Sequence, residues 1–418
     1  MPINRYACSP ANEPAMQFHP PMNILFVSWD SDQTNYLENL FFPIFKGIQE
    51  KRNWQFHVMQ FSWAAPAEVE RIRSLAKEMG ISYRHVLVHR KPSAAAGAIR
   101  SIVKGRKAIK KYLQEHAINC LMPRSTMPAM VVNLLRKWLQ DKGISIVFDA
   151  DGFPIQERVD FAGLKPGSLQ YRWLKRAEKK LLIQADKVLC RTYRAIQLHL
   201  QSNEALDPGK FHRVSNGRDP EFFKPDPEKR AALRKELGVA EDGLLWIYSG
   251  SLGPPYQLQD MLRLFWSYHQ AHTASRFLFL VRERINLKAE IPAYLEALVW
   301  IKTVPFRSIS DYYAAGDLGI SLRKPAPSLA GLAPIKVGEY LLSGLPVLLS
   351  DGIGDLSQEL GGEAACFVYK DNTTELHAWL STLKPQLKSA ARQVGMEKFG
   401  LDQSVRAYIQ ALDSLQAH

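Results

Sequence analysis

The sequence has few of the features that mark secreted, disulfide-bonded or membrane-spanning proteins. Its four cysteines, Cys8, Cys120, Cys190 and Cys366, are far apart and form no C-x-x-C pair, which disfavours both a disulfide framework and a zinc site. Its apolar runs are shorter than the roughly 20 residues that cross a bilayer, and its first residues do not follow the order of a signal peptide. We therefore expect buried thiols in a cytoplasmic protein, at most in contact with the inner face of a membrane.

Histidines with ligand-like spacing are also too few for a metal site. His85 and His89, like His269 and His272, are spaced as metal ligands can be, but neither pair has a third ligand close by in the sequence. Catalytic metal sites usually take three protein ligands. We expect these histidines in the core or at the surface.

The charge is strongly positive. Lys and Arg total 54 against 41 Asp and Glu, a formal net charge of +13, which favours an anionic partner such as a phosphate compound, a nucleic acid or a membrane surface. Nucleic acid is the weakest of the three, because no binding motif is recognisable and the basic residues are not interleaved with aromatic ones. We expect no nucleic-acid partner.

Strand-like apolar runs alternate with helical periods over most of the 418 residues. The predicted strands of the first half are 24–28, 54–60, 83–88, 120–122, 144–148 and 187–190. Those of the second half are 244–248, 276–281, 299–303, 318–322, 346–349 and 365–368. The alternation predicts an α/β protein with two doubly wound, Rossmann-like domains, and ligands of such sheets bind at the carboxyl ends of the strands. The cleft between the domains is therefore the expected site.

Proline, glycine and one apolar stripe set the expected boundaries. Residues 1–21 are proline-rich and aperiodic, which predicts a flexible extension or a true start at Met22. An N-terminal, acceptor-side domain should span 22–215, a linker 216–227, and a C-terminal domain 228–400, because "NGRDPEFFKPDP" is rich in turn residues. Residues 401–418 should form a last helix with Asp402 as its N-cap.

One predicted helix carries a lysine and a glutamate among apolar residues. In "PIKVGEYLLSGLPVLLSDGIGD", Pro334 suits the first helical position, where a missing N–H group costs nothing. The free N–H groups and dipole of that helix end attract an anion, so Lys336 would face a phosphate. Glu339, one turn further, is placed to accept two hydroxyl hydrogen bonds. The alternative is a Lys336–Glu339 ion pair on a solvated face, which contributes only about 0.2–0.5 kcal/mol. The apolar residues around Lys336 and Glu339 indicate a buried position, which favours phosphate binding over a solvated ion pair.

Three segments together resemble one enzyme family. The order of "NGRDPEFFKP", "WIYSGSLGPPYQLQDML" and the segment around Glu339 is similar to that of the retaining glycosyltransferases of family 4, the glycosyl transferases group 1, which have the GT-B fold. The resemblance covers residues 22–418 and is most specific in the second half. It implies that Glu339 binds the ribose of a UDP- or GDP-linked sugar donor, and that residues 401–418 cross back to the N-terminal domain. It also implies transfer with retention and without an obligatory metal.

The sequence departs from this family beside the donor sugar. Many members have a second acid eight positions before the ribose-binding glutamate, where this chain has Gly331. The loop that contains Ser328, Gly331 and Ala333 would then contact the sugar through backbone N–H groups and the Ser328 hydroxyl, because glycine allows close backbone approach. A flexible turn is the alternative.

A second departure concerns the diphosphate. Family members commonly place an arginine and a lysine after the first strand of the C-terminal domain, where this chain has "SGSLGPPYQ". Gly250 and Ser251 could offer backbone N–H groups to a phosphate or form a plain turn. Arg282, and Arg323 or Lys324, follow neighbouring strands and could supply the missing charge, or could be ordinary surface cations.

Charged residues also follow two strands of the N-terminal domain. Arg124 follows "INCLMP", and Asp149 and Asp151 lie in "DADG" after "SIVF". Either aspartate could line the cleft or cap the next turn, and Arg124 could bind an acceptor phosphate or balance these acids. We predict Lys336, Asp151 and Arg124 as the catalytic group, with cations holding the departing diphosphate. No nucleophilic carboxylate is evident, which agrees with front-face attack assisted by the leaving phosphate.

Residues 98–116, "AIRSIVKGRKAIKKYLQEH", read as a basic amphipathic helix. The residues expected on its apolar side are Ile99, Ile102, Val103, Ile109 and Leu113. Such a helix could rest on anionic lipid near a lipid-linked acceptor, or pack with a solvated basic face.

The expected function is sugar transfer from a nucleotide-sugar to a glycan or lipid-linked saccharide in cell-surface polysaccharide biosynthesis. Two alternatives share the fold. A sugar-nucleotide epimerase would need acids and a histidine poised in the cleft. A non-catalytic glycosyltransferase-like partner subunit would suit Gly331 and the lost cations.

Overall fold

The computed structural model describes residues 21–32, 36–282, 287–383 and 385–415, which form two parallel sheets flanked by helices. The first sheet has seven strands in the order β3-β2-β1-β4-β5-β6-β7: β1 (Met22–Trp29), β2 (Trp54–Ser62), β3 (Ser82–Leu87), β4 (Cys120–Pro123), β5 (Ser145–Asp151), β6 (Lys187–Cys190) and β7 (Phe211–Arg213). The second has six in the order β10-β9-β8-β11-β12-β13: β8 (Leu245–Ser249), β9 (Arg276–Leu280), β10 (Val299–Lys302), β11 (Leu318–Ser321), β12 (Val347–Ser350) and β13 (Cys366–Tyr369).

Helices connect the strands and cover the sheets. Those of the first half are α1 (Phe42–Lys51), α2 (Pro66–Glu78), α3 (Ala94–Glu115), α4 (Thr126–Asn133), α5 (Arg136–Asp141), α6 (Pro154–Phe161), α7 (Leu169–Gln184) and α8 (Tyr193–Ser202). Those of the second half are α9 (Pro227–Leu237), α10 (Leu258–His269), α11 (Leu287–Glu290), α12 (Ile309–Ala315), α13 (Ile335–Leu342), α14 (Leu356–Leu360), α15 (Thr373–Leu380), α16 (Pro385–Phe399) and α17 (Leu401–Asp413).

The predicted fold class is confirmed, since both sheets are parallel with helices between successive strands. Each predicted strand has a counterpart, and only the short β7 was not predicted, because three residues carry too little pattern. Strand β5 continues to Asp151, beyond the predicted end at Phe148, and so carries two aspartates to the edge of the sheet. The proposed extension at residues 1–20 lies outside the described residues.

The last helix of the chain belongs to the core of the first sheet. Val405, Tyr408 and Leu412 of α17 are buried in one cluster with Phe42 and Phe45 of α1. Burial of this apolar stripe supplies the tertiary support that a short isolated helix lacks in water. The chain therefore returns to its first half after completing the second sheet.

The prediction of Asp402 as the N-cap of this helix is wrong. Helix α17 begins at Leu401, and the residue before it is Gly400. Gly400 forms an isolated β-bridge with Arg218, which keeps its backbone extended and sets the helix start. Asp402 lies in the first turn, where a carboxylate suits the helix dipole, and it accepts a hydrogen bond of 2.7 Å from Lys51 Nζ.

The prediction for the basic helix α3 is wrong in part. Ile102, Ile109 and Leu113 are buried against the first sheet, but Ile99 and Val103 are 50% and 57% exposed. On a helix of 3.6 residues per turn these two lie past the edge of the buried stripe. Within the described residues, no helix combines the length and apolarity needed to cross a bilayer.

The cysteines follow expectation where the structure describes them. Cys120, Cys190 and Cys366 are free and buried. Cys8 lies outside the described residues.

Candidate active site

A cleft with a volume of about 890 Å³ lies between the carboxyl ends of the strands of the two sheets. Every residue predicted as catalytic or donor-binding lines it: Arg124, Asp151, Gly250, Ser251, Arg282, Ser328, Gly331, Ala333, Lys336 and Glu339. Asp149 lies beneath its wall and is fully buried. Lys324 lines an adjoining cavity that shares Ser251 and Arg282 with the cleft.

Lys336 places an unpaired amine in the wall of this cleft. It lies in the first turn of α13, which begins at Ile335, one residue after the predicted Pro334. Its Nζ atom is buried and has no hydrogen-bond partner among the described residues. Burial lowers the pKa of Lys336 well below its usual range, Arg323 lowers it further, and Glu339 acts in the opposite direction. An anion in the cleft would pair this amine.

Two tyrosines and one glycine hold Lys336 in place. Its Nζ atom lies 4.1 Å from the ring centre of Tyr248 and 5.0 Å from that of Tyr256. A Cβ atom on Gly250 would lie 3.1 Å from the Nζ atom, and Gly250 has a φ of 120°, which favours glycine. The expectation that the Gly250 N–H group binds phosphate is wrong, because this group donates to the Leu280 carbonyl oxygen at 3.0 Å. Gly250 instead provides room for the lysine.

Arg323 supplies the second cation of this wall. Its guanidinium group lies 4.2 Å from the ring centre of Tyr256, so that the ring contacts both Arg323 and Lys336. The backbone of Arg323 also forms an isolated bridge with Tyr256, and its N–H group donates to Ser350 Oγ at 2.8 Å. The sequence offered Arg323 or Lys324 as the second cation of the diphosphate site. In the structure, Arg323 lies in the cleft and Lys324 lies beside it.

Glu339 lies one turn further along α13 and is only 7% exposed. Its Oε1 atom pairs with Arg218 Nη2 at 2.9 Å, and its Oε2 atom accepts a hydrogen bond of 3.2 Å from the Tyr313 hydroxyl. Burial and the carboxylate raise the pKa of Tyr313 well above its usual range, so this hydroxyl remains a donor. The alternative of a solvated Lys336–Glu339 ion pair is therefore wrong. A buried, charged carboxylate with a fixed orientation is a strong acceptor for hydroxyl groups.

A four-charge network forms the opposite wall. Arg124 binds Asp151 through Nη2 at 2.7 Å and Asp149 through Nη1 at 3.3 Å, while Arg191 Nη2 binds Asp149 at 2.8 Å. Burial alone would raise the pKa of Asp149, but Arg191 and Arg124 hold it below its usual value. Arg124 thus balances the acids, and Asp149 also caps the turn by accepting from the Asp151 N–H group at 3.1 Å. Asp151 reaches the cleft with a left-handed φ of 62°.

Gly331 meets a second glycine across the cleft. A Cβ atom on Gly331 would lie 2.9 Å from Gly152 Cα, and one on Gly152 would lie 2.7 Å from the Gly331 carbonyl oxygen. Real Cβ atoms do not approach other atoms so closely, so an acid at position 331 would hold the two halves apart. Close approach of the backbones explains the missing carboxylate.

The loop around Gly331 is docked on the first half of the chain. Thr192 Oγ1 donates to the Ala330 carbonyl oxygen at 2.7 Å, and Asn216 Nδ2 donates to that of Ala333 at 3.0 Å. The Ser328 N–H group donates to Asp160 Oδ2 at 3.0 Å. The expectation that backbone N–H groups of this loop contact the sugar is therefore wrong for Ser328, and also for Leu329 and Leu332, whose N–H groups donate to the Ala326 and Leu329 carbonyl oxygens at 3.0 Å. A flexible turn is also excluded by these contacts.

Sequence reasoning missed two arginines of the site, Arg191 and Arg218. Both are nearly completely buried, at 2% and 4% exposure, and both line the cleft. Arg191 follows the carboxyl end of β6, just as Arg124 follows that of β4. This position in the sequence was the only indication that Arg191 lies at the cleft. Arg218 lies between β7 and α9, in the segment predicted to be a linker, where charged residues are ordinary.

No protein-family model matches the chain, and no curated protein matches it in sequence. Solved structures do match. HepE of Anabaena, in complex with UDP, is similar with a TM-score of 0.68 and 14% identity over 94% of this chain and 100% of that chain. WaaG, a glycosyltransferase involved in lipopolysaccharide biosynthesis, has a TM-score of 0.66 and 16% identity over 93% of this chain and 99% of that chain.

The chain has the GT-B fold. A UDP-GlcNAc 2-epimerase of Neisseria meningitidis, bound to UDP-GlcNAc, is also similar, with a TM-score of 0.59 and 11% identity over 94% of this chain and 99% of that chain. The GT-B fold therefore hosts both transfer and epimerisation, and the reaction has to be argued from the residues of the cleft.

Proposed function

We propose that this chain is a retaining glycosyltransferase that moves a sugar from a UDP- or GDP-linked donor to a glycan or a lipid-linked saccharide. The observation that carries the proposal is the unpaired, buried Nζ atom of Lys336 in the cleft, with the carboxylate of Glu339 one helical turn away. A nucleoside diphosphate offers both an anion and a ribose diol within one ligand. Glu339 accepts from the diol, and Lys336 binds the diphosphate.

The charge that develops on the leaving diphosphate is stabilised by the chain's own cations. Lys336 and Arg323 flank the Tyr256 ring in the same wall, and Arg282 and Ser251 border the same space. Preorganised charges at the position where charge develops are usually the largest contribution to catalysis. We therefore propose that the charge of the diphosphate is balanced by these side chains without a metal ion.

The opposite wall orients the acceptor. Asp151 reaches the cleft, but Arg124 holds its carboxylate at 2.7 Å, which makes it a poor covalent nucleophile. Front-face attack by the acceptor hydroxyl, with the leaving phosphate taking the proton, requires no enzyme nucleophile and retains the anomeric configuration. The Gly331–Gly152 contact brings donor and acceptor walls together, and proximity supplies much of the rate.

Transfer is favoured over epimerisation by the side chains that line the cleft. Epimerisation by elimination would need an acid and a base beside the sugar, and a histidine is the usual side chain for such proton transfers. Among the described residues that line the cleft there is no histidine. Two of its acids, Asp151 and Glu339, are paired with arginines.

A ligand screen tests the proposal. UDP-, GDP- and ADP-sugars are added to the protein in thermal-shift assays, because a ligand at 100 times its Kd stabilises the folded state by about 2.7 kcal/mol. The best binder is then assayed for donor hydrolysis and for transfer. We expect stabilisation by a UDP- or GDP-sugar, loss of binding in Glu339→Ala, and retained binding with lost turnover in Asp151→Ala. No shift with any nucleotide-sugar would exclude the transferase.

We also propose that the first half of the chain contacts an anionic membrane. Helix α4 packs against both α3 and α7, so all three lie on one side of the first sheet. The exposed large apolar side chains of α3 and α7 are Ile99, Val103, Leu169, Trp173 and Ile183. The basic residues of α3 and α7 are Arg100, Lys104, Arg106, Lys107, Lys110, Lys111, Arg172, Lys175, Arg176, Lys179 and Lys180, with only Glu115 and Glu178 as acids. Apolar groups among basic ones suit a bilayer surface.

Vesicle sedimentation tests the membrane contact. The wild type should sediment with vesicles that contain phosphatidylglycerol and not with pure phosphatidylcholine vesicles. The double substitution Lys104→Glu/Lys107→Glu should lose most of this binding, since each basic residue near the surface contributes about 1 kcal/mol. The matched control Lys224→Glu/Lys235→Glu changes the net charge equally at exposed lysines of the linker and α9, and should still bind. Equal losses in both would refute the proposed surface.

A further inference from the structure

Arg218 joins the two halves of the cleft through one guanidinium group. Its Nη2 atom lies 2.9 Å from Glu339 Oε1, on the second half of the chain. Its Nη1 atom donates to the backbone carbonyl oxygen of Asn39, in the π-helical segment Leu37–Phe41 that leads into α1 on the first half. Both partners lie at the cleft, and Arg218 itself is 4% exposed.

The position of Arg218 is set by the second half and the linker. Its N–H group donates to the Phe399 carbonyl oxygen at 2.8 Å. Its guanidinium group lies 5.1 Å from the ring centre of Phe223 and 5.5 Å from that of Phe306. Because the guanidinium is a rigid planar fork, a group fixed in this way holds its two oxygen partners at a defined separation.

We propose that Arg218 is a positioning residue that couples ribose binding at Glu339 to closure of the cleft. The inference rests on the proposed function, since it requires Glu339 to bind ribose hydroxyls. When the halves separate, the Asn39 carbonyl oxygen moves away and one arm of the fork loses its acceptor, which is costly in a buried site. When they close, both arms are paired and the Glu339 carboxylate is held at one place.

The carboxylate needs this arginine to act as a hydroxyl acceptor. A buried carboxylate without a counter-ion pays a large desolvation cost, and the other contact of Glu339, from the Tyr313 hydroxyl at 3.2 Å, carries no charge. Arg218 and Tyr313 each use one carboxylate oxygen, and each oxygen keeps a second lone pair for a ribose hydroxyl. Removing Arg218 therefore removes both the charge partner and the orientation.

Arg213 offers a matched control. It also joins the two halves, through Glu359 at 2.6 Å and Asp355 at 3.7 Å. It does not line the cleft and has no contact with Glu339 among those that the structure describes. Arg213→Gln therefore removes an ion pair between the halves and leaves the ribose site as it is.

The first test compares UDP with 2′,3′-dideoxy-UDP by calorimetry in the wild type, Arg218→Gln and Arg213→Gln, with melting curves to confirm folding. If GDP stabilises the chain more in the ligand screen, GDP and 2′,3′-dideoxy-GDP replace this pair in both tests. Wild type and Arg213→Gln should bind UDP at least about 100-fold more tightly than the dideoxy compound, because two hydroxyl bonds to a charged acceptor are lost and each contributes roughly 1.5–3 kcal/mol. Arg218→Gln should bind both with nearly equal, weakened affinity. Arg218→Lys keeps the charge but one ammonium group cannot hold both partners, so its discrimination should be intermediate.

The second test measures amide hydrogen exchange at residues 37–41, which contain Asn39, with and without saturating UDP. Protection on binding should be seen in the wild type and Arg213→Gln and be absent in Arg218→Gln. If Arg218→Gln prefers UDP over the dideoxy compound as strongly as the wild type, and residues 37–41 are protected equally on binding, the inference is overturned and the proposed function stands. If the wild type binds UDP without discriminating, Glu339 does not bind ribose and the inference fails with that assignment. If the wild type binds neither UDP nor GDP, both proposals fail.

Discussion

The Nζ atom of Lys336 lies 4.1 Å from the ring centre of Tyr248, in a wall that gives it no hydrogen-bond partner among the described residues. A cation–π contact contributes about 2 kcal/mol when it is desolvated. The effective penalty for burying an ammonium group is several kcal/mol. The aromatic contacts therefore compensate the buried charge only in part, and a phosphate anion would complete the compensation.

Replacement of Lys336 by methionine should separate stability from binding. Lys336→Met keeps the volume and removes the unpaired amine, so the free energy of unfolding should stay equal or rise by about 1 kcal/mol. UDP affinity should fall by about 10- to 100-fold, since a charged hydrogen bond contributes roughly 1.5–3 kcal/mol. Urea denaturation and calorimetry measure the two effects. Lys302→Met, outside the cleft on β10, should change neither; retained UDP affinity in Lys336→Met would remove Lys336 from the diphosphate site.

The depressed pKa of Lys336 predicts a specific pH dependence. Because burial lowers this pKa in the folded chain, the unfolded chain binds more protons between the lowered value and the ordinary lysine value of about 10.4. In that window the lysine's contribution makes stability rise with pH. The difference in unfolding free energy between wild type and Lys336→Met should therefore shrink as the pH approaches about 10.

The same shift predicts proton uptake on nucleotide binding. A phosphate beside the Nζ atom favours the ammonium form, so binding should draw protons from the buffer at a pH above the lowered pKa. Calorimetric titrations with UDP in two buffers of different ionisation enthalpy measure this uptake directly. Uptake should disappear in Lys336→Met. Equal uptake in that variant would assign the proton to another group.

Substitution of Gly331 should disturb cleft closure. In Gly331→Ala the new Cβ atom would lie 2.9 Å from Gly152 Cα and from Phe153 Cδ2, and such overpacking costs about 1–3 kcal/mol. Transfer activity should drop while UDP still binds. The control is Gly362→Ala, where a Cβ atom meets nothing within 4 Å, and it should behave like the wild type. Wild-type turnover in Gly331→Ala would show that the two backbones need not touch during catalysis.

The buried network of the opposite wall should be sensitive to the loss of one arginine. Arg191→Met leaves Asp149, which is fully buried, with the more distant Arg124 contact, and breaking a buried ion pair costs about 3–5 kcal/mol. Because the arginines hold the Asp149 pKa low, their stabilisation is present above the unfolded value and is lost as the pH falls through the folded one. Acid unfolding should therefore begin at a higher pH in Arg191→Met. The exposed Arg176→Met is the control in urea and acid titrations.

How far sequence predicts this molecule depends on the range of the interactions. The strands of both sheets and the position of α13 follow from periodicity within some ten residues, so their prediction required no tertiary information. The exact starts of helices could not be predicted in this way. Gly400 forms a β-bridge with Arg218, a residue far away in the chain, and α17 therefore starts at Leu401 rather than after the predicted N-cap Asp402.

The sequence by itself determined the fold class and many, though not all, of the residues at the cleft, because the carboxyl ends of parallel strands must meet at one edge. Only the tertiary structure decided their partners. Glu339 pairs with Arg218, Asp149 with Arg191, and Gly331 touches Gly152. These residues are separated by tens to hundreds of positions, and local patterns carry no information on which charges meet or how closely two backbones approach.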